Sequence, residues 1–173
     1  MLTLKGELVF LRALEPEDLD LLFEVENNEE LWEVSATSVP FSRFILKQYL
    51  ENSHKDIYEI KQLRLVICEI AGEALGFIDI FDFDPKNKRA ALGIVIINRM
   101  NRQKGYGKEA LELLCNYCFK HLGLHQVYAN VGDDNVSSKL LFEKAGFFKA
   151  AIKKDWNFVE GKYKDEIMYQ LIN

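Results

Sequence analysis

Residues 94–107 read IVIINRMNRQKGYG, and this stretch decides the fold. It opens with four β-branched residues, which predict a strand. Gly105 and Gly107 then stand where a helical pattern begins, and they allow an anion to approach the backbone closely. The first amides of a helix have no partners within it, and the helix dipole adds positive charge there. The side chains of Arg102 and Lys104 add further positive charge. The stretch therefore predicts a strand, a loop and a helix whose N-terminus binds an anion. Pairs of glycines are common at the start of helices, so this motif alone does not identify the anion.

The patterns on either side of this unit predict an α+β sheet in a single domain, residues 1–173. Apolar runs and alternating positions predict about seven strands, at residues 2–14, 63–70, 75–83, 89–97, 126–131, 147–156 and 163–171. Apolar positions at helical spacing predict about four helices, at residues 18–25, 43–52, 105–122 and 136–145. Pro16 suits the first turn of the first helix, and Ser42 is the expected N-cap of the second.

Composition and charge exclude several function classes. The chain has 49% hydrophobic and 28% charged residues, which is typical of a globular protein. Its formal net charge of −5 argues against a nucleic-acid partner, because nucleic-acid binders usually carry a basic surface. The sequence has neither a signal-peptide pattern nor an apolar run near the roughly 20 residues that a membrane helix needs. We therefore expect no membrane association and a cytoplasmic location.

The cysteines and histidines indicate neither a disulfide framework nor a metal site. Three cysteines are an odd number, which is typical of a reducing compartment. Cys115 and Cys118 form a C-x-x-C, but they lie inside a helical pattern, so we expect them to pack in the core rather than to act in redox chemistry. The three histidines lack metal-ligand spacing, and we expect no metal.

A second motif lies about thirty residues after the first. Residues 135–147 read NVSSKLLFEKAGF, and together the two segments resemble the GNAT superfamily of acyl-CoA-dependent N-acetyltransferases. The first family motif, Arg/Gln-x-x-Gly-x-Gly/Ala, is met at Arg102, Gly105 and Gly107. The second is met at five positions, namely Asn135, Ser138, Phe142, Gly146 and Phe147. The chain is most similar to the branch of bacterial spermidine/diamine and ribosomal-protein N-terminal acetyltransferases.

This resemblance implies a GNAT-like fold, with a mixed, mostly antiparallel sheet that splays between its fourth and fifth strands. It also implies acetyl-CoA as co-substrate, with its pantetheine arm in the splay. The implied contacts are the strand end (Val95, Ile96, Ile97), the pyrophosphate loop (Arg102, Gln103, Lys104, Gly105, Tyr106, Gly107) and the second motif (Asn135, Ser138, Phe142). For Tyr106, packing within the fold is the alternative to a contact with the cofactor. Phe142 would lie beside the acetyl thioester.

Two positions depart from the family pattern and leave the catalytic residues unknown. Many relatives carry a tyrosine general acid where this chain has Phe142, and many carry a glutamate in the strand where this chain has Ala91 and Leu92. Asp79, Asp82 and Glu33 are candidate substitute bases, and Glu33 and Asp79 are candidate contacts to the acceptor. Strand alternation places Asp79 and Asp82 on opposite faces. Glu33 belongs to an acidic cluster with Glu29 and Glu30, at the place where the related branch builds the wall of its substrate site. The alternative interpretation of this cluster is a solvated loop.

Three functions remain open on the sequence. The first is transfer of an acetyl group to a small-molecule amine, polyamine-like or otherwise. The second is protein N-terminal acetylation, and the third is a non-catalytic acyl-CoA sensor, which the two departures favour. Exposed aromatic residues in the C-terminal hairpin would suit a homodimer or a higher homo-oligomer.

Overall fold

A computed structural model describes residues 4–173, which form one sheet with helices on both faces. The strands are β1 (Val9–Ala13), β2 (Leu63–Glu69), β3 (Ala74–Asp84), β4 (Arg89–Ile96), β5 (Gln126–Gly132), β6 (Phe148–Val159) and β7 (Lys162–Ile172). The helices are α1 (Leu19–Glu26), α2 (Glu29–Ser35), α3 (Arg43–Asn52), α4 (Ile57–Ile60), α5 (Tyr106–Lys120) and α6 (Val136–Lys144). Short 3-10 turns precede α1 at Pro16–Asp18 and α5 at Arg99–Asn101. Within this part of the chain no helix is long and apolar enough to cross a bilayer.

The sheet has seven strands in the order β1-β2-β3-β4-β5-β7-β6, and every pairing except one is antiparallel. The exception is the parallel pair of β4 and β5. Its register covers only three pairs, from Arg89 opposite Gln126 to Ala91 opposite Tyr128. Beyond those pairs the two strands diverge, which confirms the expected splay between the fourth and fifth strands. We call the resulting gap the β4–β5 cleft.

Two apolar cores lie on the two faces of the sheet. The larger one packs α5 and α6 against the sheet, and we call this side the α5 face. The buried side chains of α5 fall on one stripe at helical spacing, namely Ala110, Leu111, Leu114, Cys115 and Cys118. The smaller core packs α1 and α3 on the opposite side, which we call the α1 face. Fully burying each large aliphatic side chain contributes about 1.5–3 kcal/mol, so the two cores hold the helices on the sheet.

Cys115 and Cys118 are buried free thiols in the larger core, as expected from their place in the helical pattern. Burial raises the pKa of Cys115 to about 12 and raises the pKa of Cys118 as well. A thiol held neutral in this way acts as a small apolar side chain.

Two predicted elements differ from the observed ones. The first strand is shorter than residues 2–14, because the chain turns at Gly6, whose N–H bonds to the Val9 carbonyl at 2.8 Å. Residues 2 and 3 of that prediction lie outside the described residues. The acidic cluster around Glu33 is not a loop, because Asn28 caps α2 by accepting from the Glu30 N–H at 3.0 Å. Acidic side chains in a first helical turn are favoured by the helix dipole.

Gly76 in β3 explains how β4 keeps its place at the edge of the cleft. A Cβ atom at this position would lie 1.9 Å from the Val95 carbonyl oxygen, which is far inside contact distance. The close approach of the two backbones therefore requires glycine here.

We predict that Gly76→Ala lowers the free energy of unfolding by about 3 kcal/mol, because β3 and β4 must separate to admit the methyl group. Chemical denaturation followed by circular dichroism measures this change. Gly93→Ala in β4 is the matched control, since its Cβ would meet Phe81 Cε1 at an ordinary 3.4 Å. Equal stability of the two variants would contradict the close approach.

Candidate functional site

The β4–β5 cleft exposes one edge of β4 as a row of backbone groups. The Ile97 N–H donates to the Leu75 carbonyl at 3.0 Å, and the Val95 oxygen lies against Gly76. These residues therefore direct their backbone groups toward β3. Because backbone groups alternate along a strand, those of Ile94 and Ile96 point toward β5 and into the cleft. An extended ligand can pair with such an edge as an added strand does.

One group of that edge is already bonded in this structure. The Ile96 carbonyl accepts from Arg102 Nε at 3.3 Å and from Arg102 Nη2 at 3.2 Å. Arg102 thus lies across the end of the cleft instead of pointing away from it. Lys104 bonds to the Asn101 side chain at 3.1 Å, so Arg102 and Lys104 both bond within the loop and the strand before it.

The loop between β4 and α5 has the backbone shape that the sequence predicts for an anion site. Gly105 is the N-cap of α5 with φ 92°, and Gln103 also adopts the left-handed region with φ 63°. Gly105 has no side chain to cap the helix, so the first-turn amides face the loop. Residues 102–105 are exposed. The arrangement is open to an anion of about the size of a phosphate group.

The two sequence motifs meet at Gly107. A Cβ atom there would lie 3.4 Å from Leu141 Cδ2 and 3.7 Å from Ile94 Cδ1, which are ordinary contacts. The N-terminus of α5, the side of α6 and the edge of β4 therefore come together around this residue. Asn135 caps α6 by accepting from the Ser138 N–H at 3.1 Å, and Ser138 is half-buried. Asn135 and Ser138 thus hold the end of β5 and the start of α6 at the cleft.

Tyr106 and Phe142 bond or pack mainly within the fold. The Tyr106 hydroxyl donates to Glu69 at 2.6 Å, and this bond raises the pKa of Tyr106. Phe142 is 4% exposed, edge-on to Phe147 with ring centroids 5.1 Å apart, and it stacks on Tyr169 at 6.4 Å. Its ring belongs to the larger core, and it has no proton to donate.

Asp79 lies on the α1 face, opposite Gly93 of β4, and Arg64 holds both of its carboxylate oxygens. The distances are 2.7 Å from Arg64 Nε to Oδ1 and 3.1 Å from Arg64 Nη2 to Oδ2. Arg64 also bonds to Glu26 and lies over the Phe77 ring. Burial raises the pKa of Asp79, and Arg64 opposes that effect. Because both carboxylate oxygens accept from Arg64, Asp79 is poorly placed to take a proton from an acceptor amine. Asp82, the other aspartate, is exposed at a bulge with φ 47°.

Glu33 on α2 is linked to the loop before α6 through Lys164 of β7. The Lys164 ammonium lies 2.7 Å from Glu33 Oε1 on α2 and 2.7 Å from Asp134 Oδ2 in the loop before α6. These bonds raise the pKa of Lys164, with the bond to Asp134 as the larger cause. Glu33 is therefore paired in this structure, and its contact with the acceptor stays a prediction.

A polar groove with a volume of about 370 Å³ lies over the paired start of β4 and β5 and over the neighbouring strands β7 and β6. Its lining comes from strand residues that alternate with the buried core of β5 and β7, namely Asp82, Arg89, Gln126, Tyr128, Asn130, Lys153, Met168 and Gln170. Tyr128 faces Ala91 at the last pair before the splay, and burial raises its pKa. Sequence reasoning treated β5 only as a buried strand and missed Tyr128 and Asn130. Their alternation with Val127 and Ala129 was the signal that could have found them.

The sequence model of the Acetyltransferase (GNAT) domain matches residues 9–148, which span the sheet through the second motif. The chain belongs to the GNAT acetyltransferase family. It is therefore an N-acetyltransferase, and acetyl-CoA is the co-substrate of this family.

The similar proteins agree with this membership. The SPbeta prophage-derived N-acetyltransferase YokL of Bacillus subtilis, itself uncharacterized, is 28% identical over 95% of this chain and 89% of its own. YdaF of the same organism, a candidate ribosomal N-acetyltransferase, is 24% identical over 96% of this chain and 92% of its own. Among solved structures, a spermidine N-acetyltransferase from Vibrio cholerae in complex with CoA and spermine aligns with a TM-score of 0.84 and 23% identity. That alignment covers 96% of each chain, and it shows the GNAT fold.

We predict that Asp79→Asn lowers the free energy of unfolding by about 2–3 kcal/mol, because Arg64 loses a buried charged partner. Thermal and denaturant unfolding measure the change. Asp82→Asn is the matched control and should shift stability by less than about 0.5 kcal/mol, since Asp82 is exposed and asparagine accepts its backbone conformation. An Asp79→Asn variant with unchanged stability but no turnover would instead make Asp79 the general base.

Proposed function

We propose that this GNAT enzyme transfers the acetyl group of acetyl-CoA to a primary amine of a small polycationic acceptor. The observation that supports this acceptor class is the charge beside the cleft. Arg64 lies between Asp79 and Glu26, and Lys164 lies between Glu33 and Asp134. With its carboxylates ionised, each cluster carries one more negative than positive charge; one lies on the α1 face of β2 and β3, and the other joins α2 to the loop before α6. Such a field favours a cationic ligand.

The cofactor contacts follow from the geometry of the loop. We propose that the amides of residues 103–107 hold the pyrophosphate, with Gly105 and Gly107 allowing its close approach. Arg102 and Lys104 would turn from Ile96 and Asn101 toward the phosphates. That movement would free the Ile96 carbonyl, so that the pantetheine arm can pair along Val95, Ile96 and Ile97.

The second motif completes the proposed cofactor site from the other side of the cleft. Asn135 and Ser138 would contact the pantetheine or the adenosine-diphosphate part of the cofactor, because they lie at the start of α6 beside the splay. Phe142 would bound the thioester end from within the core. In this role it supplies shape rather than a proton.

The chemistry is direct attack in a ternary complex. The neutral amine nitrogen bonds to the acetyl carbonyl carbon, the C–S bond breaks, the thiolate takes up a proton and the nitrogen loses one. The cleft-facing N–H of Ile96 would stabilise the oxyanion that develops on the carbonyl. We assign no side chain of residues 4–173 as general acid or base. Proton transfer through water replaces the tyrosine that relatives carry, and such a loss costs about 10²–10⁴-fold in rate.

The similar proteins suggest two acceptor classes. The Vibrio cholerae structure that shares this fold is a spermidine N-acetyltransferase with spermine bound, which supports a polyamine. YdaF supports the peptide N-terminus as the alternative. The charge clusters favour the polyamine, because a peptide N-terminus brings one positive charge and a polyamine brings several.

We further propose a homo-oligomer and a cytoplasmic location. The hairpin of β6 and β7 exposes large apolar side chains, including Ile152, Trp156, Phe158 and Tyr163. β6 is also an edge strand of the sheet, and exposed apolar edges favour association. The three free cysteines suit a reducing compartment.

We predict that acetyl-CoA is turned over with polyamines at least about tenfold faster, as kcat/KM, than with peptides bearing a free N-terminus. Release of coenzyme A, detected with a thiol reagent, measures this across polyamines, amino acids, aminoglycosides and peptides. A preference for peptides would replace the polyamine by the alternative acceptor. Binding of acetyl-CoA without turnover of any amine would contradict the proposed reaction.

We predict that Gly107→Ala keeps its affinity for coenzyme A within about twofold, because the first family motif accepts alanine at this position and the added Cβ would lie against Leu141 and Ile94. Its unfolding temperature should stay equal or rise, since alanine favours a helix over glycine and its Cβ makes ordinary contacts here. Calorimetric titration and thermal unfolding measure the two effects. Gly105→Ala is the comparison and should lose both stability and affinity, because its φ of 92° strains any other residue. Unchanged affinity in Gly105→Ala would place the pyrophosphate elsewhere.

A further inference from the structure

Glu109, in the first turns of α5, binds the backbone of a segment about 100 residues away in sequence. Its Oε1 accepts from the Glu7 N–H at 3.0 Å, and its Oε2 accepts from the Leu8 N–H at 2.8 Å and the Val9 N–H at 2.7 Å. Three consecutive amides thus converge on one carboxylate. Hydrogen bonds to a charged acceptor are stronger than neutral ones, so this contact fixes the start of β1 against the start of α5.

The segment around these amides packs closely against the start of α5. A Cβ atom on Gly6 would lie 2.5 Å from Glu109 Cδ, so a side chain at position 6 would displace the carboxylate. Leu8 reaches the N-cap itself, since its Cδ1 would lie 3.3 Å from a Cβ on Gly105. The chain before β1 therefore touches both Glu109 and the glycine that starts the helix.

A second bond secures the same turn of α5 to the same point of the sheet. The Tyr106 hydroxyl donates to Glu69 Oε1 at 2.6 Å, and Glu69 lies opposite Val9 in the register of β1 and β2. Glu109 and Tyr106 thus hold the helix start from two sides of one strand pair. These bonds act at the first turn of α5, ahead of the buried stripe that packs the rest of the helix on the sheet.

We propose that Glu109 is a positioning residue for acetyl-CoA, which sets the N-terminus of α5 so that its amides meet the pyrophosphate. This inference rests on the proposed cofactor site. It makes residues 6–9 part of the support of that site, although they touch no ligand in it. The charge of Glu109 taken alone would have the opposite effect, because a carboxylate on the first turns of a helix repels an anion there.

These two roles predict opposite signs for one substitution. Glu109→Gln removes the negative charge, which by electrostatics alone would tighten the binding of coenzyme A. It also replaces one accepting oxygen by an amide NH₂ that faces backbone N–H donors, so the bonds to residues 7–9 are lost in part. The positioning role therefore predicts weaker binding.

The test compares Glu109→Gln with Glu112→Gln, which removes the same charge from an exposed residue of the same helix that pairs with Lys108. We expect the Kd for coenzyme A and the KM for acetyl-CoA to rise about tenfold in Glu109→Gln, with kcat within about twofold. Both constants should stay at the wild-type value in Glu112→Gln. Calorimetry, steady-state kinetics and thermal unfolding are measured on each variant.

Three results would overturn the inference. One is a Glu109→Gln variant that binds coenzyme A as well as or better than the wild type, whatever its unfolding temperature. Another is an equal loss of affinity in Glu112→Gln. If Glu109→Gln does not fold, Glu109→Asp takes its place, because it keeps the charge and shortens the reach of the side chain. Wild-type affinity for coenzyme A in Glu109→Asp would then overturn the inference. Failure of the wild type to bind coenzyme A would instead remove the proposed cofactor site, and the inference with it.

Discussion

The parallel pairing of β4 and β5 breaks after three residue pairs, and the site depends on that break. A continuous ladder would satisfy the backbone groups of Ile94 and Ile96 within the sheet and leave no room for a ligand. Gly76 fixes β4 on its other side by letting β3 approach it closely. The cleft therefore begins where the pairing of β4 and β5 ends. The apolar cores on both faces of the sheet keep the two strands in place.

Most of the chemistry that this cleft offers comes from the backbone. The helix N-terminus at Gly105 supplies amides for an anion, and the edge of β4 supplies a strand for an extended chain. Side chains near the cleft are largely engaged already, as Asp79 is by Arg64 and Glu33 by Lys164. A backbone site tolerates the loss of particular side chains, which accounts for a GNAT enzyme with phenylalanine at position 142.

Much of the fold was predictable from the sequence, because local residue preferences set the elements that were predicted. Ser42 caps α3 as expected, and α3 spans the predicted residues. The strand, the loop and the helix start at Gly105 were readable because glycine and the β-branched run before it each have one strong preference, while the anion site there stays a prediction. Glu109 could not be found in this way, because its partners are backbone amides of residues 7–9 and leave no mark in the sequence pattern. The pairing of Asp79 with Arg64 likewise depends on the register of β2 and β3, which composition does not fix.

A crystal structure of the complex with coenzyme A tests the central claim most directly, namely that the β4–β5 cleft and the start of α5 bind the cofactor. The account predicts the pyrophosphate within hydrogen-bonding distance of the amides of residues 103–107. It also predicts the pantetheine arm along Ile96, with Arg102 released from the Ile96 carbonyl. A complex in which the cofactor lies outside the cleft, or in which Arg102 stays on Ile96 and the pyrophosphate contacts other residues, would contradict it.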